Sequence, residues 1–149
     1  MNSQVPLPPP ILLLALLVVA GILQVIFPGP QPVPFHPVPA WTFLLAGFLV
    51  SLSGFITFKQ NRTPVKPGAN PTQLVIGGPY RFTRNPMYLG MLLFSIGVLF
   101  ALRSPWFIIP PIAYFLMINF WQIPFEEKLL RERFGQTYDD YCQSVRRWL

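Results

Sequence analysis

Four runs of apolar residues without a single charge divide the chain, at about 10–27, 41–58, 86–102 and 106–123. Each is close to the roughly 20 residues that a helix needs to cross the hydrocarbon core, where every backbone N–H and C=O must be paired within its own helix. The pattern therefore predicts an all-α integral membrane bundle of about four transmembrane helices, built as one domain over 1–149. After Pro124 the pattern changes: Phe125, Leu129, Leu130 and Phe134, then Tyr138, Tyr141, Cys142, Val145 and Trp148 recur at spacings of three and four. That period marks amphipathic helices over 124–149, divided at Gly135 and lying on the membrane surface.

Local signals set the expected ends. Pro8, Pro9 and Pro10 suit a helix N-terminus, where a missing N–H costs nothing. From Pro28 to Pro39 six prolines fall in twelve residues, which predicts a stiff loop with His36 facing solvent in it. Trp41 and Lys59 are the aromatic and basic anchors of the second run. Asn85 and Pro86 read as N-cap and first residue of the third, and Arg103-Ser104-Pro105 as its stop. Pro110-Pro111 should kink the fourth run or break it into a short turn and a longer helix. No basic residue precedes the first run, so it reads as a retained span rather than a secretory signal.

Composition agrees: the chain is 52% apolar and 11% charged, against roughly 25% charged in soluble domains. Its net charge of +6 does not point to nucleic acid, because five basic residues lie between Lys59 and Arg84, five between Lys128 and Arg147, and only Arg103 elsewhere. After an even number of spans the two basic segments share one side. The positive-inside rule makes that side, with loop 59–85 and both termini, cytoplasmic. Cys142 is the only cysteine, and no metal site is expected.

Candidate chemistry gathers on that side. Loop 59–85 is too long and too particular in content for a passive connection. Gly77-Gly78-Pro79-Tyr80 has the composition of a tight turn. Arg84-Asn85-Pro86-Met87-Tyr88 opens a helix whose free N–H groups suit an electron-rich ligand group. Glu126-Glu127 places two adjacent carboxylates at a bilayer boundary, which calls for a cationic partner, either Arg81 or Arg84 or a ligand bearing a sulfonium or ammonium.

These segments, from Leu74 to Tyr80, Arg84 to Gly90 and Glu126-Glu127 with Phe134-Gly135, Tyr138, Tyr141 and Val145-Arg146, resemble the isoprenylcysteine carboxyl methyltransferase family and its phospholipid methyltransferase relatives. The resemblance implies a membrane enzyme that uses S-adenosylmethionine and methylates a lipophilic acceptor drawn from the bilayer. By position it implies cofactor contacts from Thr72, Gln73, Leu74, Val75, Tyr80, Asn85, Pro86, Met87, Tyr88 and Glu126. Glu127 and Arg84 would position the acceptor or tune its protonation. Two positions differ from the family pattern: Asn85 stands for the usual histidine, and Gln122 for the arginine that faces a substrate carboxylate. Asn85 keeps hydrogen bonding but offers neither charge nor a general base. The competing readings are a non-catalytic lipid-binding or scaffold protein and a sterol-reductase-like enzyme.

Overall fold

The computed structural model describes residues 7–29, 37–63 and 72–149. His36 and residues 64–71 of loop 59–85, among them Lys66, lie outside them. Among the described residues there is no strand: the chain folds as helices α1 (Pro9–Ile26), α2 (Pro37–Gln60), α3 (Pro86–Leu102), α4 (Pro105–Phe134) and α5 (Gln136–Ser144), with a 3-10 turn at Gly78–Arg81. Helices α1, α2 and α4 are long and apolar enough to cross a membrane. Helix α3 carries no charged residue and has 17 residues, the lower end of the ~17–25 that a span needs. Large apolar side chains such as Leu14, Val25, Phe48 and Leu49 point outward, as a lipid-facing exterior requires. The protein is an all-α membrane helical bundle.

Helices α2 and α3 run together along their length because glycine removes the side chains between them. A Cβ on Gly47 would collide with the Phe94 amide nitrogen and lie 2.6 Å from the Gly90 oxygen, and one on Gly90 would lie 2.7 Å from the Ser51 Cβ. Such contact of backbones replaces the hydrophobic drive that lipid cannot supply. At one end of the bundle Leu12 and Leu13 of α1 pack with Tyr88 of α3 and Tyr114, Ile118 and Ile123 of α4. At the other end Ser104 bonds the Gln24 side chain, and the Trp106 indole donates to the Phe27 carbonyl at 2.9 Å.

Two expected boundaries are corrected and one is met. Helix α2 begins at Pro37 rather than 41, so Pro37 and Pro39 lie in its first turn, where absent N–H groups leave nothing unpaired. The proline pair 110–111 lies at the start of the regular part of α4, just after a 3-10 turn at Pro105–Ile108, which is the short turn and longer helix expected of it. Pro124 does not end the helix: α4 continues to Phe134, and 124–134 is its extension rather than a separate surface helix. A π turn at Ile118–Gln122 precedes Pro124, and this widened winding relieves the clash between the proline ring and the carbonyl four residues earlier.

Candidate active site

The end of the bundle where α2 finishes and α3 begins carries the polar groups. Gly78 takes φ 58°, and a Cβ there would lie 3.0 Å from the Thr57 hydroxyl of α2, so the turn needs glycine on both counts. The turn delivers Tyr80 inward, only 4% exposed, with its ring 5.2 Å from that of Phe58. Its carbonyl accepts from the Tyr141 hydroxyl at 2.7 Å, while its own hydroxyl is buried with no partner among the described residues. Burial pushes the Tyr80 phenol far above its ordinary range, and the Tyr141 phenol up to about 12 against the opposing charge of Arg84, so both are neutral hydrogen-bonding groups rather than bases.

Tyr88, one turn into α3, is not an interfacial anchor. It is buried and donates its hydroxyl to Glu126 Oε1 at 2.6 Å, and Gln122 Nε2 donates to that same oxygen at 2.6 Å. Among the described residues Glu126 has no ion pair. Glu127 takes both nearby cations: Arg147 grips it through Nε at 3.1 Å and Nη2 at 2.6 Å, and Arg84 Nη2 lies 3.2 Å from its Oε1. Arg84 therefore does not reach outward to headgroups. Its Nη1 meets the Cys142 sulfur, and its Nε is buried without a partner among the described residues.

The segment after α5 closes this end. Arg146 accepts from the Arg84 amide at 3.0 Å, and the Arg147 carbonyl accepts from the Thr83 hydroxyl at 3.1 Å and from Asn85 Nδ2 at 3.0 Å. The Trp148 indole donates to Asn119 Oδ1 at 3.0 Å. Asn85 occupies the N-cap position as expected, but its side chain makes no cap, being spent on Arg147.

These elements enclose a cavity of about 100 Å³ with a wider mouth, which brings together Gln73, Leu74, Val75, Tyr80, Arg84, Asn85, Met87, Tyr88, Glu126 and Glu127. Three sequence candidates lie outside its wall. Thr72 bonds the Thr63 hydroxyl and the Arg62 carbonyl, Pro86 is buried against the α2 face at Gly54, and Gln122 acts on the site through Glu126. Tyr138 and Tyr141, placed by their period on an amphipathic face, turn out to line the cavity, as do Phe58, Thr63, Ile123 and Leu130. Arg147, which nothing in the local sequence marks, is bound to Glu127.

The family model described as phospholipid methyltransferase matches residues 37–137, from the start of α2 to the beginning of α5, and includes all the cavity-lining residues but Tyr138 and Tyr141. The chain belongs to the phospholipid methyltransferase family. A probable protein-S-isoprenylcysteine O-methyltransferase of Oryza sativa subsp. indica is 35% identical over 78 residues, which cover 49% of this chain and 38% of that protein. Protein-S-isoprenylcysteine O-methyltransferase B of Arabidopsis thaliana is 36% identical over 78 residues, covering 49% of this chain and 37% of its own. The match thus spans less than two fifths of either plant protein. An uncharacterized protein of Haemophilus influenzae is 40% identical over 63 residues, its whole length and 42% of this chain. Within this phospholipid methyltransferase family member the site draws on four separate stretches of sequence, at 58–63, 73–88, 122–141 and 146–148.

Proposed function

We propose that the protein is an integral membrane methyltransferase that moves a methyl group from S-adenosylmethionine to a lipophilic acceptor entering from the bilayer. The observation that carries this reading is Glu126: a carboxylate walled into the bundle, held by two neutral donors and lacking a cation among the described residues, suits a positively charged ligand. The Tyr80 hydroxyl, buried in the same wall with no partner among the described residues, is a second group that a polar ligand would satisfy. Tyr80, Asn85, Tyr88 and Glu126, with the backbone and side chains of Gln73, Leu74, Val75 and Met87, are the residues that would hold the cofactor. Thr72 fixes the loop to the end of α2, and Pro86 fixes the start of α3.

When bound, the sulfonium supplies an electrophilic methyl carbon. What the chain must add is alignment and exclusion of water, since methyl transfer is an in-line displacement. The apolar side chains of Leu74, Val75, Met87, Ile123 and Leu130 in the cavity wall serve the second need. Gln122 and Tyr88 hold Glu126 in one orientation, and Arg84 with Glu127 forms a charged wall that borders the cofactor on one side and the acceptor's reacting group on the other. The side of the membrane proposed for this site is the cytoplasmic one, because Lys59, Arg62, Arg81 and Arg84 gather at this end with the basic residues of 128–147.

Calorimetry on the purified chain tests the reading. S-adenosylmethionine should bind, and Glu126→Ala should weaken it by about tenfold or more, the scale of hydrogen bonds to a charged group. No binding, with no change on Glu126→Ala, would sink the proposal. Transfer of a labelled methyl group into a total lipid extract then identifies the acceptor.

A further inference from the structure

Two arginines share one carboxylate here, and they share it unequally. On a guanidinium, Nε and Nη2 lie along one edge and match the two oxygens of a carboxylate. Arg147 uses that whole edge on Glu127, Nε to Oε1 at 3.1 Å and Nη2 to Oε2 at 2.6 Å. Arg84 offers the same edge but only half of it is used: its Nη2 lies 3.2 Å from Oε1, and its Nε is buried with no partner among the described residues. An unpaired N–H of a charged group, out of water, is costly unless something else accepts from it.

We infer that Arg147 is a positioning residue: by taking the full grip on Glu127 it keeps that carboxylate from closing onto Arg84, and so leaves the Arg84 Nε–H available to an oxygen of the bound ligand. The geometry supplies the mechanism. Oε2 is the one oxygen of Glu127 that Arg84 does not touch, and Arg147 holds it. Without Arg147, a modest rotation of the carboxylate brings Oε2 to Arg84 Nε, completes the two-pronged pair and silences the donor. The segment carrying Arg147 is itself tied to the start of α3, its carbonyl accepting from Thr83 and Asn85, so the guanidinium is delivered to Glu127 from a fixed point. The 146–148 stretch, outside the cavity wall itself, then acts on the cavity through Glu127.

This inference rests on the reading of the cavity as an S-adenosylmethionine site, and the test separates the two. Binding of S-adenosylmethionine is measured by calorimetry on the full chain in detergent for wild type, Arg147→Ala, Glu127→Gln and the double variant. Arg147→Ala should weaken binding about tenfold, and adding Glu127→Gln to it should restore binding to within about threefold of the Glu127→Gln variant alone, because an amide cannot capture Arg84 as a carboxylate does. A merely structural role for Arg147 would give no such rescue. A double variant as weak as Arg147→Ala, or an Arg147→Ala chain that binds like wild type, overturns the inference. If Arg147→Ala does not fold, Arg147→Lys, which keeps the charge but not the two-pronged grip, should show a smaller loss, and wild-type binding by it overturns the inference equally. A wild-type chain that binds no S-adenosylmethionine sinks the methyltransferase reading itself.

Discussion

Tyr80 and Tyr88 are both buried in the wall of one cavity, yet their hydroxyls are treated oppositely. That of Tyr88 is spent on Glu126 and that of Tyr80 has no partner among the described residues. Removing the Tyr80 hydroxyl therefore breaks no hydrogen bond within the described protein. Tyr80→Phe should leave the melting temperature of the ligand-free chain in detergent at or slightly above the wild-type value, while weakening S-adenosylmethionine by about three- to tenfold. A fall in both together would mean that the hydroxyl serves the fold. Tyr141 makes a prediction of a different kind. Its phenol titrates near ~10 when unfolded and about 12 when folded, so between those values the folded chain keeps a proton that the unfolded chain has lost. Stability from this residue is complete below pH ~10 and is lost as pH rises toward 12. Thermal melts from pH 8 to 12 should show the decline, and Tyr141→Phe should make it shallower.

At the scale of elements, the pairing of α2 with α3 depends on a few absent side chains. Gly47 and Gly54 on one helix and Gly90 and Gly97 on the other stand seven residues apart, two helical turns, and present one bare stripe each. That spacing is visible in the sequence, but which neighbours the stripes meet is not. Gly47→Ala should destabilise by ~1–3 kcal/mol, because its Cβ meets backbone that cannot yield like a flexible side chain. Gly21→Ala on α1 meets nothing within 4 Å and should be neutral or stabilising by up to ~1 kcal/mol, through helix propensity alone. Equal effects of the two in detergent unfolding would contradict the packing described. Helix α4 shows the limit of local rules. A proline normally ends a helix, and Pro124 read that way predicts a break just before the Glu pair. The π turn at Ile118–Gln122 absorbs it instead and sets Gln122 and Glu126 within one hydrogen bond of each other.

For the whole molecule, both the site and its proposed side of the membrane follow from the antiparallel run of helices, which brings the end of α2, the start of α3, the later half of α4 and α5 together. Orientation is open to direct measurement. In a Cys142→Ser background, Lys128→Cys beside the site should resist a membrane-impermeant maleimide added outside intact cells and react after permeabilisation. Val38→Cys, exposed at the opposite end, should react from outside at once. The reverse pattern would invert the proposed topology without disturbing the site. The basic residues that set this expectation lie in the two segments that also supply Arg84 and Arg147, so the charge that orients the chain is partly the charge that builds the cavity.

The sequence alone determined the four uncharged apolar runs as helices, though not all their ends, and the stretches that matter. Uncharged runs of this length have only one way to satisfy their backbone in lipid, and the glycine turn, the Arg-Asn-Pro start and the Glu pair are local features that need no partner to be read. It also placed Gln73 to Val75, Tyr80, Arg84, Asn85, Met87, Tyr88, Glu126 and Glu127 among the candidates, and these meet around one cavity. What only the tertiary structure decided is who pairs with whom. Glu126 and Glu127 are adjacent in sequence, but about 100° of helical rotation turns one toward Tyr88 and Gln122 and the other toward two arginines, so neighbours in the chain have separate environments. Arg147 reaches Glu127 across twenty residues and a change of helix, and no local pattern carries that information. Pairing of charges is settled by the fold because it depends on distance in space, whereas spans and turns are settled by what each short stretch of backbone can satisfy by itself.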